Sequence, residues 1–143
     1  MGLPMVRNLL RAGHPVQAFD LNPHAADALQ SEALFSRADS AAATLTHADI
    51  VILMLPDSKV VDGLLWNGAP ALADVLTPSQ ILIDMGSSDP VRSRDNFDKL
   101  AAKGIAFVDA PVSGGVKRAV DGSLSIMIGG ETSAVDTLSL IHI

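Results

Sequence analysis

Ser113, Gly114 and Gly115 follow an apolar run, Ile105 to Val108, that leads into Asp109 and is stiffened by Pro111. Two adjacent glycines leave backbone N–H groups uncovered and let another molecule approach closely. The Ser113 hydroxyl adds a donor beside them. Amides and a hydroxyl at the end of a strand can together hold a carboxylate. A plain glycine-rich turn between two strands is the competing reading of the same three residues. Asp20 is a second candidate. It ends the β-type run Pro15 to Phe19 and lies 18 residues after Gly2, near the spacing of about 20 at which dinucleotide folds carry a ribose-binding acid. A carboxylate there accepts hydrogen bonds from ribose hydroxyls and repels a 2′-phosphate. Leu21, the next residue, is not an arginine that could pair such a phosphate. NAD is therefore favoured over NADP, with an ordinary strand-end acid as the alternative.

Other chemistries lack their residues. The chain has no cysteine, which excludes disulfides, thiolate metal sites and a cysteine nucleophile. His14, His24, His47 and His142 are not spaced with one another or with acids as a metal site demands, and surface or helix-end roles suit them. Ser113 has no recognisable His–Asp partner, which speaks against a serine hydrolase. Trp66, the single tryptophan, follows a leucine pair and reads as packing. The net charge of −6 and the pI near 4.9 argue against a nucleic-acid surface. The longest apolar run, Ile50 to Leu55, is far too short to span a bilayer. A cytoplasmic protein is expected, without a membrane partner.

The elements that must position these residues alternate in type. Hydrophobic residues make up 48% of the 143, and aromatic ones only 3%. Such a core suits helices packed on a buried sheet. Leu3 to Ala12 reads as a helix from the spacing of Leu3, Val6, Leu9 and Leu10. Asn22-Pro23 should cap a second helix to about Glu32, Ala33 to Phe35 form a short strand, and Ser40 to Thr46 a small helix. Ile50 to Leu55 is the clearest strand, followed by Pro56-Asp57-Ser58 and a helix near Lys59 to Leu65. Ile81 to Ile83 is a strand ending at Asp84. Asp89-Pro90 caps a helix from Val91 to about Lys103, and Ile105 to Val108 is a further strand. Leu124 to Ile128 alternates, and Thr132 opens a last helical stretch with Leu138 and Leu140. Strands separated by helices at short loop lengths indicate an α/β doubly wound sheet.

In order, these pieces resemble the β-hydroxyacid dehydrogenases, the family of 3-hydroxyisobutyrate dehydrogenase and tartronate semialdehyde reductase. The string from Asp109 through Ser113-Gly114-Gly115 to Gly130 carries most of the likeness. In that family the Ser-Gly-Gly holds the carboxylate of a small 3-hydroxy acid. The family's opening reads Gly-Leu-Gly-x-Met-Gly, then x-Pro-Met and a helix, and Met1 to Leu10 matches its second half. The resemblance implies that Gly2 is the third glycine of the phosphate loop. It also implies that Leu55 and Pro56 lie where the cofactor crosses the sheet edge, and that Ser87 stands beside the nicotinamide. Gly86 departs from the pattern, since serine is common there.

The implied fold is a Rossmann-like doubly wound sheet lacking its first, central strand. The 143 residues are then one incomplete dinucleotide-binding domain, truncated at both ends, and the family's all-helical C-terminal domain is absent. The lysine that handles the hydroxyl proton falls beyond Ile143, so the chain holds no catalytic residue and should be inactive alone. Ser139 to Ile143 do not continue the family pattern. Lys117 and Arg118 read as solvated loop charges, or as aids in attracting an anionic substrate. The implied function of the intact protein is NAD(P)-dependent oxidation of a small 3-hydroxy acid, or reduction of its semialdehyde, by a homo-oligomer. The alternative is a non-catalytic nucleotide-binding module. A 6-phosphogluconate or imine-reducing relative fits the Asp109–Gly115 string less well.

Overall fold

A computed structural model describes residues 1–139; Leu140, His142 and the rest of the tail lie outside the described residues. The chain divides into two compact units, one of Met1–Thr46 with Gly114–Leu124, the other of His47–Ser113 with the segment from Ser125 onward.

The first unit opens with α1 (Gly2–Arg11), whose Met5 and Leu10 are buried. Next come two parallel strands, β1 (Val16–Ala18) and β2 (Phe35–Arg37), with Val16 opposite Phe35 and Ala18 opposite Arg37. The β2 strand begins two residues later than the sequence suggests. The expected helix from Pro23 to Glu32 does not form: turns replace it, with one 3-10 turn at Asp27–Leu29. The Asn22 signal is satisfied locally, because its Oδ1 accepts from the His24 amide at 3.0 Å. Between Asn22 and Glu32 only Leu29 is buried. A short helix needs an apolar face to bury, and this segment has too little of one. Ser40 likewise caps a 3-10 turn, Ala42–Leu45, rather than an α-helix.

The second unit is built on β3 (Ile50–Leu53), β4 (Ile81–Asp84) and β5 (Ala106–Asp109), all parallel. Two-residue β8 (Gly129–Gly130) runs antiparallel on the β5 edge. Leu82 and Val108 are fully buried in the central strands. Helix α2 (Ser58–Trp66) starts where the Asp57 carboxylate accepts from Lys59 and Val60 amides. A single helical turn, α3 (Leu72–Val75), follows it. Helix α4 (Pro90–Ala101) starts at Asp89, which accepts from the Val91 amide, with Pro90 at the first helical position. Leu65 of α2 and Leu100 of α4 are fully buried, each worth roughly 2 kcal/mol of apolar transfer. The two helices are also tied through polar groups. Trp66 Nε1 donates to Asn96 Oδ1 at 2.7 Å, and Asn96 Nδ2 donates to Asp62 Oδ1 at 2.9 Å. Trp66 is thus half-buried packing with a polar handle.

The glycine-rich segment is more ordered than a turn. Val112–Ser113 form β6, which pairs with β7 (Ser125–Ile126) in the second unit. Helix α5 (Gly115–Asp121) begins two residues after Ser113 and belongs to the first unit, where Asn8 Nδ2 of α1 donates to the Ala119 carbonyl at 2.7 Å. Lys117 and Arg118 therefore lie on a helix and not in a loop. Helix α6 (Thr132–Ser139) closes the described chain. Among the described residues, no helix is long and apolar enough to cross a membrane.

Candidate functional site

In the second unit the parallel strands deliver their C-terminal ends side by side, the edge at which open α/β sheets bind ligands. β3 leaves into Met54-Leu55-Pro56, β4 ends at Asp84 and β5 at Asp109, with Asp84 directly opposite Asp109 in the ladder. The exit loops are tied together. The Met85 amide donates to the Leu53 carbonyl at 2.9 Å and the Ala110 amide to the Asp84 carbonyl at 2.7 Å. Gly86 is buried against the β3 exit: a Cβ there would stand 2.9 Å from the Leu55 carbonyl oxygen. Leu55 and the Gly86-Ser87 pair are thus brought together, and Pro56 and Ser87 are both exposed.

The Asp84 carboxylate is fully buried. Its Oδ1 accepts from the Gly86 amide at 2.9 Å and its Oδ2 from the Ser88 hydroxyl at 2.6 Å. Asp109 is half-buried and accepts from the Ser93 hydroxyl at 3.2 Å. Burial pushes the Asp109 carboxyl above its ordinary 3.8; the Ser93 hydrogen bond opposes this and the neighbouring Asp84 adds to it. A carboxyl raised by folding holds its proton more tightly in the native state than in the unfolded chain. Its stabilising contribution is therefore complete below the unfolded value, and is lost as pH rises through the native one. Asp109→Asn, which cannot ionise, is expected to raise the melting temperature at pH 7 relative to the parent chain. The gain should shrink toward pH 3, as paired thermal melts at the two pH values would read; a gain independent of pH would contradict the cause.

A cavity of about 410 Å³ opens beside α4, β5 and β8, lined by Ser93, Arg94, Phe97, Asp109, Gly129 and Glu131 among others. None of the residues singled out as binding candidates in the sequence borders it. Sequence reasoning also passed over Asp84, Ser88 and Ser93 as site residues. The available signal was that two apolar strands both lead into aspartate, but the register that sets those aspartates side by side is not local information.

In the first unit, α1 has no side-chain cap and no acid in its first turn, so its leading amides are open to an anion. A Cβ at Gly2 would meet nothing within 4 Å; no packing within the described chain requires glycine there. Asp20 is exposed beyond the end of β1, and its Oδ1 accepts from the Asn22 amide at 2.8 Å. The other carboxylate oxygen has no partner among the described residues. The turn after it is held by Arg37, which donates to the Pro23 carbonyl at 2.5 Å, and Leu21 is 88% exposed. Gly114 and Gly115 both have positive φ, +131° and +66°. Space beside Gly115 is open, whereas a Cβ on Gly114 would strike Arg118. Ser113 is exposed, at the end of β6. Among the described residues no group of three His, Cys, Asp or Glu could hold a metal ion.

Residues 1–141 match the profile of the NAD binding domain of 6-phosphogluconate dehydrogenase. The chain belongs to this family of NAD-binding domains. Within the family, it is 42% identical over 130 residues to 3-hydroxyisobutyrate dehydrogenase of Pseudomonas aeruginosa, covering 91% of this chain and 43% of that one. It is 38% identical over 136 residues to NAD-dependent L-serine dehydrogenase of the same organism, covering 95% and 45%. A solved structure of Mycobacterium tuberculosis 3-hydroxyisobutyrate dehydrogenase with L-serine superposes with a TM-score of 0.88 at 32% identity, covering 99% of this chain and 47% of the other. These relatives are dehydrogenases with the Rossmann-like α/β fold seen here, as the sequence pattern led one to expect. The NAD-binding chain spans less than half the length of the curated relatives it matches.

Proposed function

We propose that the 143 residues belong to the cofactor-binding domain of an NAD-dependent oxidoreductase. Its substrate would be a small 3-hydroxy acid, or the corresponding semialdehyde in the reducing direction. The observation that carries this reading is the match over nine-tenths of the chain to enzymes named for 3-hydroxyisobutyrate and L-serine. Both compounds are small carboxylates with a hydroxyl on the third carbon.

The residues present fit a dinucleotide. The unshared oxygen of Asp20 suits a ribose hydroxyl, and the uncapped amides after Gly2 suit a pyrophosphate. In the second unit, Leu55, Pro56 and Ser87 suit the nicotinamide half. Ser113, Gly114 and Gly115 offer a hydroxyl and open amides to the substrate carboxylate. When bound, the nicotinamide supplies hydride acceptance. Asp20 accepts from the ribose, and Ser113 with the Gly114 and Gly115 amides orients the acid. The intact protein is then a cytoplasmic homo-oligomer.

Cofactor titration of the chain tests the reading, using the fluorescence of the reduced nucleotide. NADH is expected to bind more tightly than NADPH, because Asp20 repels a 2′-phosphate and Leu21 offers it no charge. Asp20→Asn should weaken NADH about tenfold, the scale of one hydrogen bond to a charged group, while NADPH changes little or improves. Binding of neither nucleotide would overturn the cofactor reading, and a preference for NADPH would overturn the role of Asp20.

A further inference from the structure

Asp84 has no role in the reading above, yet it is 1% exposed. Among the described residues no lysine or arginine forms an ion pair with it. A carboxylate removed from water without a cation must be compensated by strong hydrogen bonds. Both donors to its carboxylate come from one loop. The Gly86 amide and the Ser88 hydroxyl reach separate carboxylate oxygens, at 2.9 and 2.6 Å. The second distance is in the short range of charge-assisted bonds. Ser87 lies between the two donors, and among the described residues its side chain makes no hydrogen bond of its own.

The loop is also anchored at its two ends. Met85 is tied to the Leu53 carbonyl, and the Asp89 amide donates to the Ser58 hydroxyl at 2.7 Å. Between those anchors, the Asp84 carboxylate is, among the described residues, the one side chain that braces residues 86–88.

We propose that Asp84 is a positioning residue for the nicotinamide half of the cofactor: its buried carboxylate bridges the Gly86 amide and the Ser88 hydroxyl and thereby fixes the backbone that presents Ser87. The inference rests on the cofactor assignment made above. It concerns geometry and not charge. In Asp84→Asn, the amide oxygen can still accept from Gly86 and the amide nitrogen can donate to the Ser88 oxygen. That variant keeps the bridge; Asp84→Ala and Ser88→Ala break it.

The test uses the 143-residue chain with two probes, NADH and ADP-ribose, the second lacking the nicotinamide. Binding is measured by calorimetry, and amide hydrogen exchange over residues 86–89 is measured without nucleotide. Ser88→Ala is expected to weaken NADH about tenfold, the scale of one lost charge-assisted bond. ADP-ribose affinity should be unchanged, and exchange at Gly86 faster. Asp84→Asn should restore parental NADH affinity, where Asp84→Ala does not. Ser88→Ala serves as the milder variant should Asp84→Ala fail to fold. Unchanged exchange and unchanged NADH affinity in Ser88→Ala overturn the brace. Asp84→Asn as damaging as Asp84→Ala overturns the geometric account. A parent chain that binds neither nucleotide, with exchange still accelerated in Ser88→Ala, removes the cofactor assignment and the nicotinamide role while supporting the brace itself.

Discussion

Gly86→Ala is expected to destabilise the chain by about 2 kcal/mol, the scale of an overpacked buried site. The added methyl would stand 2.9 Å from the Leu55 carbonyl oxygen and 3.1 Å from Asp84 Oδ1. Neither atom yields easily. The first is backbone, and the second is held by the Gly86 amide itself. Relief requires the β3 exit to move away from the β4 exit, which also displaces Leu55 and Pro56 from Ser87. NADH affinity should therefore fall together with stability. Gly63→Ala is the control: it lies inside α2, and a Cβ there meets nothing within 4 Å. That change should be neutral or stabilise by up to about 1 kcal/mol, as Gly→Ala does in open helix positions. Urea unfolding of both variants reads the contrast. Equal midpoints would mean that the strand exits are not in close contact.

Gly114→Ala is expected to cost about 2 kcal/mol, and Gly115→Ala about 1 kcal/mol. The two glycines are adjacent, but their constraints differ. Gly114 has φ +131° and ψ −9° at the start of α5, a backbone conformation that side chains rarely adopt. Its Cβ would also lie 2.5 Å from Arg118 Cδ and 2.8 Å from Arg118 Cβ. The end of the arginine can swing aside; its Cβ is fixed on the helix. Gly115 has φ +66° with open space around it, so an alanine there incurs only the left-handed backbone cost. Thermal melts of the two single variants should rank Gly114→Ala well below Gly115→Ala. The reverse order would contradict the helix start described here. If the paired amides hold a carboxylate, both methyl groups should impair its binding, including the one that leaves stability nearly intact.

Signals that act within a few residues were legible before the structure. α1, β4 and α4 appear where spacing and caps put them, because apolar periodicity, Asp89 and Pro90 act on their own neighbours. Asn22 was expected to cap a helix, but it caps only a local turn through the His24 amide; the segment after it has only Leu29 to bury and forms turns with one 3-10 turn. β8 escaped notice for the opposite reason. Gly129-Gly130 has no strand preference of its own, and pairs because β5 presents an open edge.

By itself, then, the sequence determined the alternation of strands and helices, the family, and the identity of residues placed at strand ends. These depend on side-chain chemistry and short spacings, which survive without coordinates. Only the tertiary structure decided that Asp84 stands opposite Asp109, that Gly86 abuts the Leu55 carbonyl, and that Gly114 and not Gly115 is sterically closed. Each of these is set by strand register or by a helix start brought against a neighbour. Register is a choice among pairings that local sequence leaves open; here it goes with the bonds between strand exits, Met85 to Leu53 and Ala110 to Asp84, and with packing on both faces of the central strands.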